Sequence, residues 1–547
     1  MHPKMDLLQK ITKRQWLVAF ANLFFAGIIV IIHVQLRQYA FDDAFIHFRV
    51  ARNFVEMGAP YYNAHDALKV STSSGWIIFL AMIYWIAKII HIENNFSLLI
   101  STINALISIC GLIVYTKVVE LFLERRLTIL QKLFLQTIIL AILLPSSIGL
   151  METPFALLTA GLGIYFLLRA KPLGFAFLGI AIYLRLELLI LAVLTGSMAV
   201  FQGKFKLFQI LRYFILGFAP FVFFDVYYFH TIIPHSIIAK STVFSLTPLN
   251  TLITILIQSL PQFSAISDQH LLESALFMII VIMLCWTVFR ERIIFKINYY
   301  PALLCFSSFL TLGLYIFGHV FLSDWYIPLY MLPISIAYFS YSYLIDHPKS
   351  IIIKLPLLIL FLLSTISVLT TIYSIFYKPN VFALFESGSR VKMYLVVGKI
   401  INEDYPDAKL LTPEIGGLGY SFPGKIFDAM GLASSDALSF HPMKVPQQRS
   451  NGGLALIPPD YVRFIKPDII VSYDIFAEAL LEDDVSAQYN IIALPAYLPE
   501  DAIYSESKTI FGSKYLRIYI QKSLPVSDKI CALSISTNET PNKACSK

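Results

Sequence analysis

Asp42 and Asp43 are the residues of this chain best suited to chemistry, because they follow the first apolar run of a very apolar protein by only a few residues. Charge close to a bilayer is costly and is usually retained for a function. A carboxylate that faces a cavity can take a proton from an attacking hydroxyl group, which is worth about 10²- to 10⁴-fold in rate. One aspartate could be the general base and the other a metal ligand or an orienting acid.

The same two acids have a simpler structural interpretation. Residues 42–53 have an amphipathic helical pattern, and Asp42 and Asp43 would stand at the start of that helix, where acids are favoured. Arg49 and Arg52 are spaced i, i+3 and could merely extend toward lipid headgroups. The residues themselves leave these alternatives open.

Basic residues from three separate segments could hold the phosphate of an anionic lipid. Arginine offers a planar fork of donors and lysine a point charge. Arg185 could instead form a structural pair with Glu187, and since residues i and i+2 do not share a helix face, this predicts a helix break at Leu186. The four candidates for the phosphate are Arg49, Arg52, Arg185 and Lys240.

The composition fixes the class of protein. A chain of 547 residues that is 57% hydrophobic and 14% charged is typical of a polytopic membrane protein and not of a soluble globule. The formal net charge of +7 does not indicate a nucleic-acid partner, because the Lys and Arg residues lie in short clusters between apolar runs, where they set topology. Cys531 and Cys545 lie in a polar tail and could form a disulfide if the tail is exported.

The basic clusters predict the orientation of the chain. Counting every apolar run as a span would place the basic segment 124–132 outside, against the positive-inside rule. If residues 75–91 lie along the outer surface or re-enter without crossing, this segment and the later basic segments become cytoplasmic, as does the N-terminus. The prediction is then about eleven spans, at 16–34, 97–119, 131–145, 152–169, 172–184, 187–202, 209–228, 272–289, 299–317, 327–345 and 352–376.

The chain divides into two predicted domains. Residues 1–376 form a transmembrane domain with extracytoplasmic loops at 35–96 and 229–271. Residues 377–547 regain Gly, Pro, Asp and Lys and carry short strand signals at 407–412 and 468–473, interleaved with a helical pattern at 388–402. This mixture predicts an extracytoplasmic α/β domain.

The order of several motifs resembles the GT-C superfamily of membrane glycosyltransferases, and within it the cell-wall arabinofuranosyltransferase-like family. That family opens with an Asp-Asp-Ala-aromatic-Ile motif and an Arg-x-x-Arg-Asn stretch, which residues 42–46 and 49–53 match. A Gly-Tyr-Thr-Ser-x-x-Trp-like segment of the family has a looser match at 70–76.

Further motifs of the family recur along nearly the whole chain. Its Leu-Glu-Thr-Pro motif is matched at 151–154, and its Arg-Pro-Glu motif at 185–187, where Leu186 replaces the proline. Its Tyr-Tyr-Gly-x-x-x-Pro-Asn-x-x-x-Ala-Lys motif is matched at 227–240 with Gly and Asn both replaced. A Gly-x-x-Gly-Tyr turn at 416–420 and an Asp-x-x-Gly-Leu segment at 428–432 complete the likeness.

The resemblance implies a GT-C-like fold and an inverting transfer in one displacement. Asp42 or Asp43 would be the base, and the four basic residues named above would bind the donor phosphate. Trp325 and Tyr326 could equally belong to an interfacial aromatic belt, and the turn at 416–420 could be no more than a turn. The implied sugar and acceptor pocket comprises Glu152, Glu187, His235, Asp324, Trp325, Tyr326, Tyr420 and Asp428.

The resemblance also implies the partners and the location. The donor would be a polyprenyl-phosphate sugar, expected to be a pentofuranose such as arabinofuranose, and the acceptor a surface glycan or an exported protein such as a pilin. The site would face outward from the bacterial cytoplasmic (inner) membrane, with the lipid bilayer as a further partner. A divalent cation (Mg, Mn or Ca) on Asp42 or Asp43 is plausible beside a phosphate, and no organic cofactor is expected.

Two alternatives stand beside this prediction. The same fold could use a hexose or an aminopentose as the donated sugar. A protein of another class, a flippase or transporter of lipid-linked sugars, would be expected to show an inverted repeat and charges at mid-bilayer. The sequence shows neither feature, and its notable charges are predicted at one membrane face.

Overall fold

The computed structural model describes residues 13–244, 247–258, 300–318, 320, 322–344, 351–443, 456–534 and 545. The described part is mostly helical. Five of its helices are long and apolar enough to cross a membrane, as the composition predicts. They are Glu93–Phe122, Ile129–Ile148, Leu207–Phe229, Tyr300–Phe317 and Lys354–Phe376, and shorter apolar helices accompany them.

The helical part contains fourteen α-helices within the described residues. The segment at 185–187 separates two of them, as the Arg185 and Glu187 spacing predicts. The helices are α1 (Lys13–Leu36), α2 (Asp42–Met57), α3 (Ser74–Ile89), α4 (Phe96–Phe122), α5 (Ile129–Ile148), α6 (Thr153–Leu168), α7 (Gly174–Leu184), α8 (Leu188–Phe201), α9 (Leu207–Phe229), α10 (His235–Val243), α11 (Pro248–Gln258), α12 (Tyr300–Phe317), α13 (Ile327–Leu344) and α14 (Ile351–Phe376).

The number of spans stays a prediction, since several of these helices are shorter than a bilayer requires. The predicted span at 272–289 and part of the predicted loop at 229–271 lie outside the described residues. The two ends of α3 contact α7 and α2. Ser73, just before α3, hydrogen-bonds to the Leu184 carbonyl at 2.7 Å, and Tyr84 near its end donates to Glu56 of α2 at 2.8 Å. Whether 75–91 crosses the membrane stays a prediction.

Small residues let α6, α7 and α9 pack closely. A Cβ atom on Gly174 would collide with the carbonyl oxygen of Gly163, and one on Gly217 would collide with the backbone of Ala176. Close approach of backbones is the usual way in which apolar helices associate without a hydrophobic driving force. The close packing fixes α7, which leads into Arg185, against α6 and α9.

The C-terminal part forms a small mixed α/β sheet region, as its composition predicts. The strands lie in the order β2-β1-β3-β5-β4, in which β2, β1 and β3 are parallel and β3, β5 and β4 antiparallel. The strands are β1 (Leu410–Thr412), β2 (Ile426–Asp428), β3 (Ile469–Tyr473), β4 (Tyr489–Pro495) and β5 (Tyr515–Gln521). The helices are α15 (Phe385–Asp404), α16 (Gly417–Ser421), α17 (Pro459–Ile465), α18 (Asp474–Leu481), α19 (Pro499–Ala502) and α20 (Asp528–Ser534).

The predicted strand and helix signals in this tail coincide with β1, β3 and α15. Buried aliphatic residues from these strands continue into the main hydrophobic core, which also contains residues of α1 and α2. Cys531 and Cys545 are joined by a disulfide, the pairing that the sequence allowed. The division at residue 377 stays a prediction, because the tail and the helices share this core.

The tail presses closely against the segment that carries the aspartate pair. A Cβ atom on Gly388 of α15 would collide with the backbone of Tyr39, and one on Gly416 would collide with the backbone of Asp42. The absence of side chains at these two positions therefore brings the first turn of α2 within hydrogen-bonding distance of the tail.

Candidate active site

Two cavities meet at Asp43. The inner cavity, of about 320 Å³, lies among the helix ends and includes His47, Glu152 and Arg185 in its wall. The tail cavity, of about 560 Å³, lies between the helices and the tail and includes Glu386 and Arg390. The residues that line both are Asp43, Ile46, Lys240, Trp325 and Leu432.

Asp42 is held by the tail. Its Oδ2 accepts a hydrogen bond from the Gly416 amide at 2.8 Å, and its Oδ1 accepts one from the Gly417 amide at 2.8 Å. Burial raises the pKa of Asp42, although the charge of Arg390 and the two amides act in the opposite direction. With both oxygens engaged, Asp42 is suited to orienting the turn and poorly suited to accepting a proton from a substrate.

Asp43 is the freer acid of the pair. Its side chain is 28% exposed, and its Oδ2 lies 3.4 Å from Nζ of Lys240. Burial by itself would lower the pKa of Lys240, but the charge and hydrogen bond of Asp43 together with Tyr326 outweigh this effect, and the net direction is upward. Lys240 also lies 6.0 Å from the centroid of the Trp325 ring. The structure thus places a carboxylate and a cation together at the junction of the two cavities.

Arg185 lies in a buried charge network on the wall of the inner cavity. Its Nη1 is 2.7 Å from Glu152 Oε1, and its Nη2 is 2.8 Å from Glu187 Oε1. Glu187 also accepts a hydrogen bond from Tyr315 at 3.2 Å, and the Arg185 guanidinium lies 4.3 Å from the centroid of the Tyr326 ring. Because two carboxylates already balance this arginine, the network is as well suited to sugar hydroxyl groups as to a phosphate.

Arg49 lines neither cavity, which counts against the prediction that it binds the donor phosphate. It is buried, and its guanidinium donates to the carbonyl oxygens of Tyr62, Gly419, Phe422 and Gly424. These carbonyl groups provide hydrogen-bond acceptors within the protein for the guanidinium of Arg49. Arg49 therefore fixes α2 against the tail.

Arg52 and Tyr420 lie at the same contact between α2 and the tail and line neither cavity. Arg52 donates to the Tyr420 carbonyl at 3.0 Å and stacks over the Tyr420 ring at 4.8 Å. The ring also packs against Phe45 and Phe48 of α2. Arg52 is thus not placed with Arg185 and Lys240, and Tyr420 is not placed in the sugar pocket.

His235 and Asp428 are likewise positioning residues that line neither cavity. Asp428 is buried at the end of β2 and accepts from the amides of Met430 and Ala433, both at 2.9 Å. Nε2 of His235 lies 3.0 Å from the carbonyl oxygen of Gly431 in the same turn. Together they shape the turn that carries Leu432 into both cavities.

Three charged residues of the tail cavity have no counterpart among the sequence predictions. Arg390 of α15 pairs with Glu414 at 2.7 Å, and Glu386 lines the same wall. Burial raises the pKa of Glu414 to about 7, against the opposing charge of Arg390. Charged residues are ordinary in a soluble domain, so nothing in the sequence singled these out.

Asp324 is the predicted pocket residue that faces only the tail cavity. It begins a short 3₁₀ turn, Asp324–Tyr326, that leads into α13. Burial raises the pKa of Asp324 to about 6. Trp325, the next residue, packs against Phe41 at 4.7 Å and lines both cavities.

His47 is a further residue of the inner cavity that sequence reasoning missed. It follows Asp43 by four residues on α2, so helical periodicity places the two on one face, and this spacing could have indicated it. Its Nδ1 lies 3.8 Å from Glu152 Oε2. Burial lowers the pKa of His47, so that the neutral imidazole is favoured at neutral pH.

The aspartate pair does not fit the predicted divalent cation. Asp42 has both oxygens occupied by amides, and Asp43 has the cationic Lys240 as its neighbour. Within the described part of the chain, no group of three or more His, Cys, Asp or Glu side chains could hold a metal ion.

The arrangement can bring two ligands to one carboxylate from different sides. A ligand in the inner cavity would meet Arg185 and Lys240, and a hydroxyl-bearing ligand in the tail cavity would approach Asp43 from the other side. Lys240 lies where it can stabilise negative charge that develops between the two ligands.

In comparisons with known proteins, no family model and no curated protein matches this chain.

Proposed function

We propose that this chain is an inverting glycosyltransferase with a GT-C-like fold that acts at the outer face of a bacterial cytoplasmic membrane. It transfers a sugar, a pentofuranose such as arabinofuranose, from a polyprenyl-phosphate donor to a hydroxyl group of a surface glycan or an exported protein. The observation that carries the proposal is the position of Asp43, which lies with Lys240 between two cavities.

The reaction is a single displacement. The acceptor hydroxyl in the tail cavity attacks the anomeric carbon of the sugar in the inner cavity, and the bond from that carbon to the phosphate oxygen breaks. Asp43 takes the hydroxyl proton, and polyprenyl phosphate leaves with the bonding electrons. Lys240 and Arg185 stabilise the charge that develops on the leaving phosphate. Attack opposite the leaving group inverts the configuration.

Three further observations support the proposal. The helical part has five helices that could cross a membrane, as a lipid-linked donor requires. The Cys531–Cys545 disulfide suits an oxidising compartment outside the cytoplasm. The two carboxylates beside Arg185, together with Trp325 and Tyr326, offer hydroxyl acceptors and apolar ring faces for a sugar.

The test uses the full-length chain in lipid vesicles with radiolabelled polyprenyl-phosphate arabinofuranose and glycan and protein fractions of the cell surface as acceptors. We expect transfer by the wild type, and a loss of about 10²- to 10⁴-fold in Asp43→Asn, which removes the base. Asp407→Asn is the control, because Asp407 is exposed in the tail and lies outside both cavities. Full activity of Asp43→Asn would overturn the assignment of the base.

The same assay separates the alternatives. Transfer from a hexose or aminopentose donor in preference to arabinofuranose would change the sugar and keep the mechanism. Movement of the intact lipid-linked sugar across the vesicle bilayer without transfer would instead support a flippase. Anomeric analysis of the product by NMR tests the inversion, and retention of configuration would exclude a single displacement.

A further inference from the structure

Four buried polar atoms of the inner cavity have no hydrogen-bond partner among the described residues. They are Nδ1 of His47, Oε2 of Glu152, Nε of Arg185 and Oγ of Ser236. The four residues are only 6%, 1%, 3% and 5% exposed, and all of them line this cavity. Leaving one such group unsatisfied costs about 1–3 kcal/mol, so four such atoms around one cavity indicate a polar ligand.

Nδ1 of His47 and Oε2 of Glu152 face each other across a gap. Oε1 of Glu152 is engaged by Arg185 at 2.7 Å and by Oγ of Ser73 at 3.1 Å, and only Oε2 remains free toward the cavity. Oε2 lies 3.8 Å from Nδ1 of His47, which is longer than a hydrogen bond. A group that both donates and accepts a hydrogen bond could satisfy both atoms.

The protonation states of His47 and Glu152 indicate which kind of ligand group can bind between them. Burial lowers the pKa of His47, so the imidazole is neutral at pH 7 and can carry its proton on Nδ1. Glu152 is paired with Arg185 and offers an acceptor. A hydroxyl group can accept a hydrogen bond from His47 and donate one to Glu152, as a water molecule can in the free protein. An ammonium group cannot accept, and a carboxylate cannot donate.

The surroundings indicate which molecule carries that hydroxyl. The inner cavity has the volume of a small ligand and contains the rings of Trp325 and Tyr326 as well as Asp43 and Lys240. A sugar held there would have hydroxyl groups at His47 and Glu152 while its anomeric carbon lay near Asp43.

We infer that His47 and Glu152 together bind one ring hydroxyl group of the donor sugar and make the enzyme selective for donors that carry it. His47 donates from Nδ1 to the hydroxyl oxygen, and the hydroxyl donates to Oε2 of Glu152. This inference rests on the proposed function and assigns a specificity-determining pair within it.

The test compares polyprenyl-phosphate arabinofuranose with its monodeoxy analogues. We expect the wild type to lose roughly 10- to 100-fold in kcat/KM with one analogue, the range for a hydrogen bond to a charged group. His47→Gln should abolish that preference, because its amide lies one bond too far from the backbone. His47→Asn should retain it, because its Nδ2 is as many bonds from Cβ as Nδ1 of histidine.

His33→Gln is the matched control. His33 is buried in α1, its Nδ1 lies 2.7 Å from the Ile29 carbonyl and its Nε2 lies 2.6 Å from Ser147, and it lines neither cavity. Its loss should leave the preference among analogues unchanged. Thermal unfolding of each variant distinguishes a poorly folded protein from a selective one, and Glu152→Gln provides a second route to the same loss of preference.

The outcomes separate the inference from the proposed function. If the wild type transfers sugar but does not discriminate among the analogues, or if His47→Gln lowers transfer from every donor by the same factor, the inference is wrong and the proposed function stands. If the wild type transfers no sugar from any polyprenyl-phosphate donor, the proposed function itself fails.

Discussion

The two cavities that meet at Asp43 are built in different ways. The inner cavity draws its charges from helix ends, at Glu152, Arg185 and Glu187, where they are conspicuous in apolar surroundings. The tail cavity draws three of its charges from the tail, at Glu386, Arg390 and Glu414. The comparison teaches that a sequence reveals a charged site only where charge is costly. In a soluble domain the same residue types give no signal.

The two neighbouring aspartates also differ in their surroundings, although they lie in the same turn of α2. Asp42 is bound through both oxygens to the tail, and Asp43 points to the cavities. Neighbours on a helix point in different directions, so their partners differ even though their sequence environments are almost the same. Substitutions in each cavity and beside each acid can test how far the two differ.

Arg185→Met should have the largest effect. It leaves Glu152 and Glu187 without their cationic partner in a buried network, which we expect to cost about 3–5 kcal/mol of stability and to abolish transfer. Thermal unfolding in detergent measures the first effect and the vesicle assay the second. Arg390→Met is the matched variant in the tail cavity, and it should cost less because Glu414 can take up a proton. Equal losses would contradict the comparison.

Gly416→Ala should lower transfer by about 10²-fold, the loss expected when a catalytic group is displaced by roughly 1 Å. The added Cβ would collide with the backbone of Asp42, so the first turn of α2 and with it Asp43 must shift. The control is Gly313→Ala in α12, where a Cβ meets open space. Unchanged transfer in Gly416→Ala would mean that the tail does not position the base.

Asp324→Asn should change the pH dependence of stability. Burial raises the pKa of Asp324 from 3.8 to about 6, so the folded state holds this proton more tightly than the unfolded state. The stability linked to it is fully present below about pH 4 and is lost as the pH rises to about 6, by up to about 3 kcal/mol.

The variant should therefore show a smaller fall in Tm between pH 4 and 6 than the wild type. The raised pKa of Glu414 leaves a further fall up to about pH 7 in both proteins. An identical pH profile in Asp324→Asn would show that this side chain is not buried in the tail cavity. Asp407→Asn, an exposed substitution outside both cavities, is the control.

Cys531→Ser should have the smallest effect on transfer. The disulfide to Cys545 closes a short loop at the end of the tail, with a sequence separation of 14, and neither cysteine lines the cavities. We expect a loss of about 2–3 kcal/mol at most in the stability of the tail and unchanged transfer. Protein isolated without reductant should also resist labelling by maleimide at Cys531 until it is reduced, and immediate labelling would contradict an oxidised pair.

Much of the fold could be predicted because it depends on local quantities. Apolar runs predicted the long helices, the unfavourable i, i+2 spacing of Arg185 and Glu187 predicted the break between α7 and α8, and alternating residues predicted β1 and β3. The predicted grouping of Arg49 and Arg52 with Arg185 failed. Their charges looked alike in the sequence, but both Arg49 and Arg52 donate to carbonyl groups of the tail.

Hydropathy and periodicity act between residues close in the chain, so they were enough to predict the apolar class of the protein, the helices, the α/β tail and the aspartate pair. Which aspartate has both oxygens bound by backbone amides depends on the tertiary structure. The amides that hold Asp42 lie 374 and 375 residues further along the chain, and only folding brings them to one carboxylate and leaves its neighbour facing the cavities.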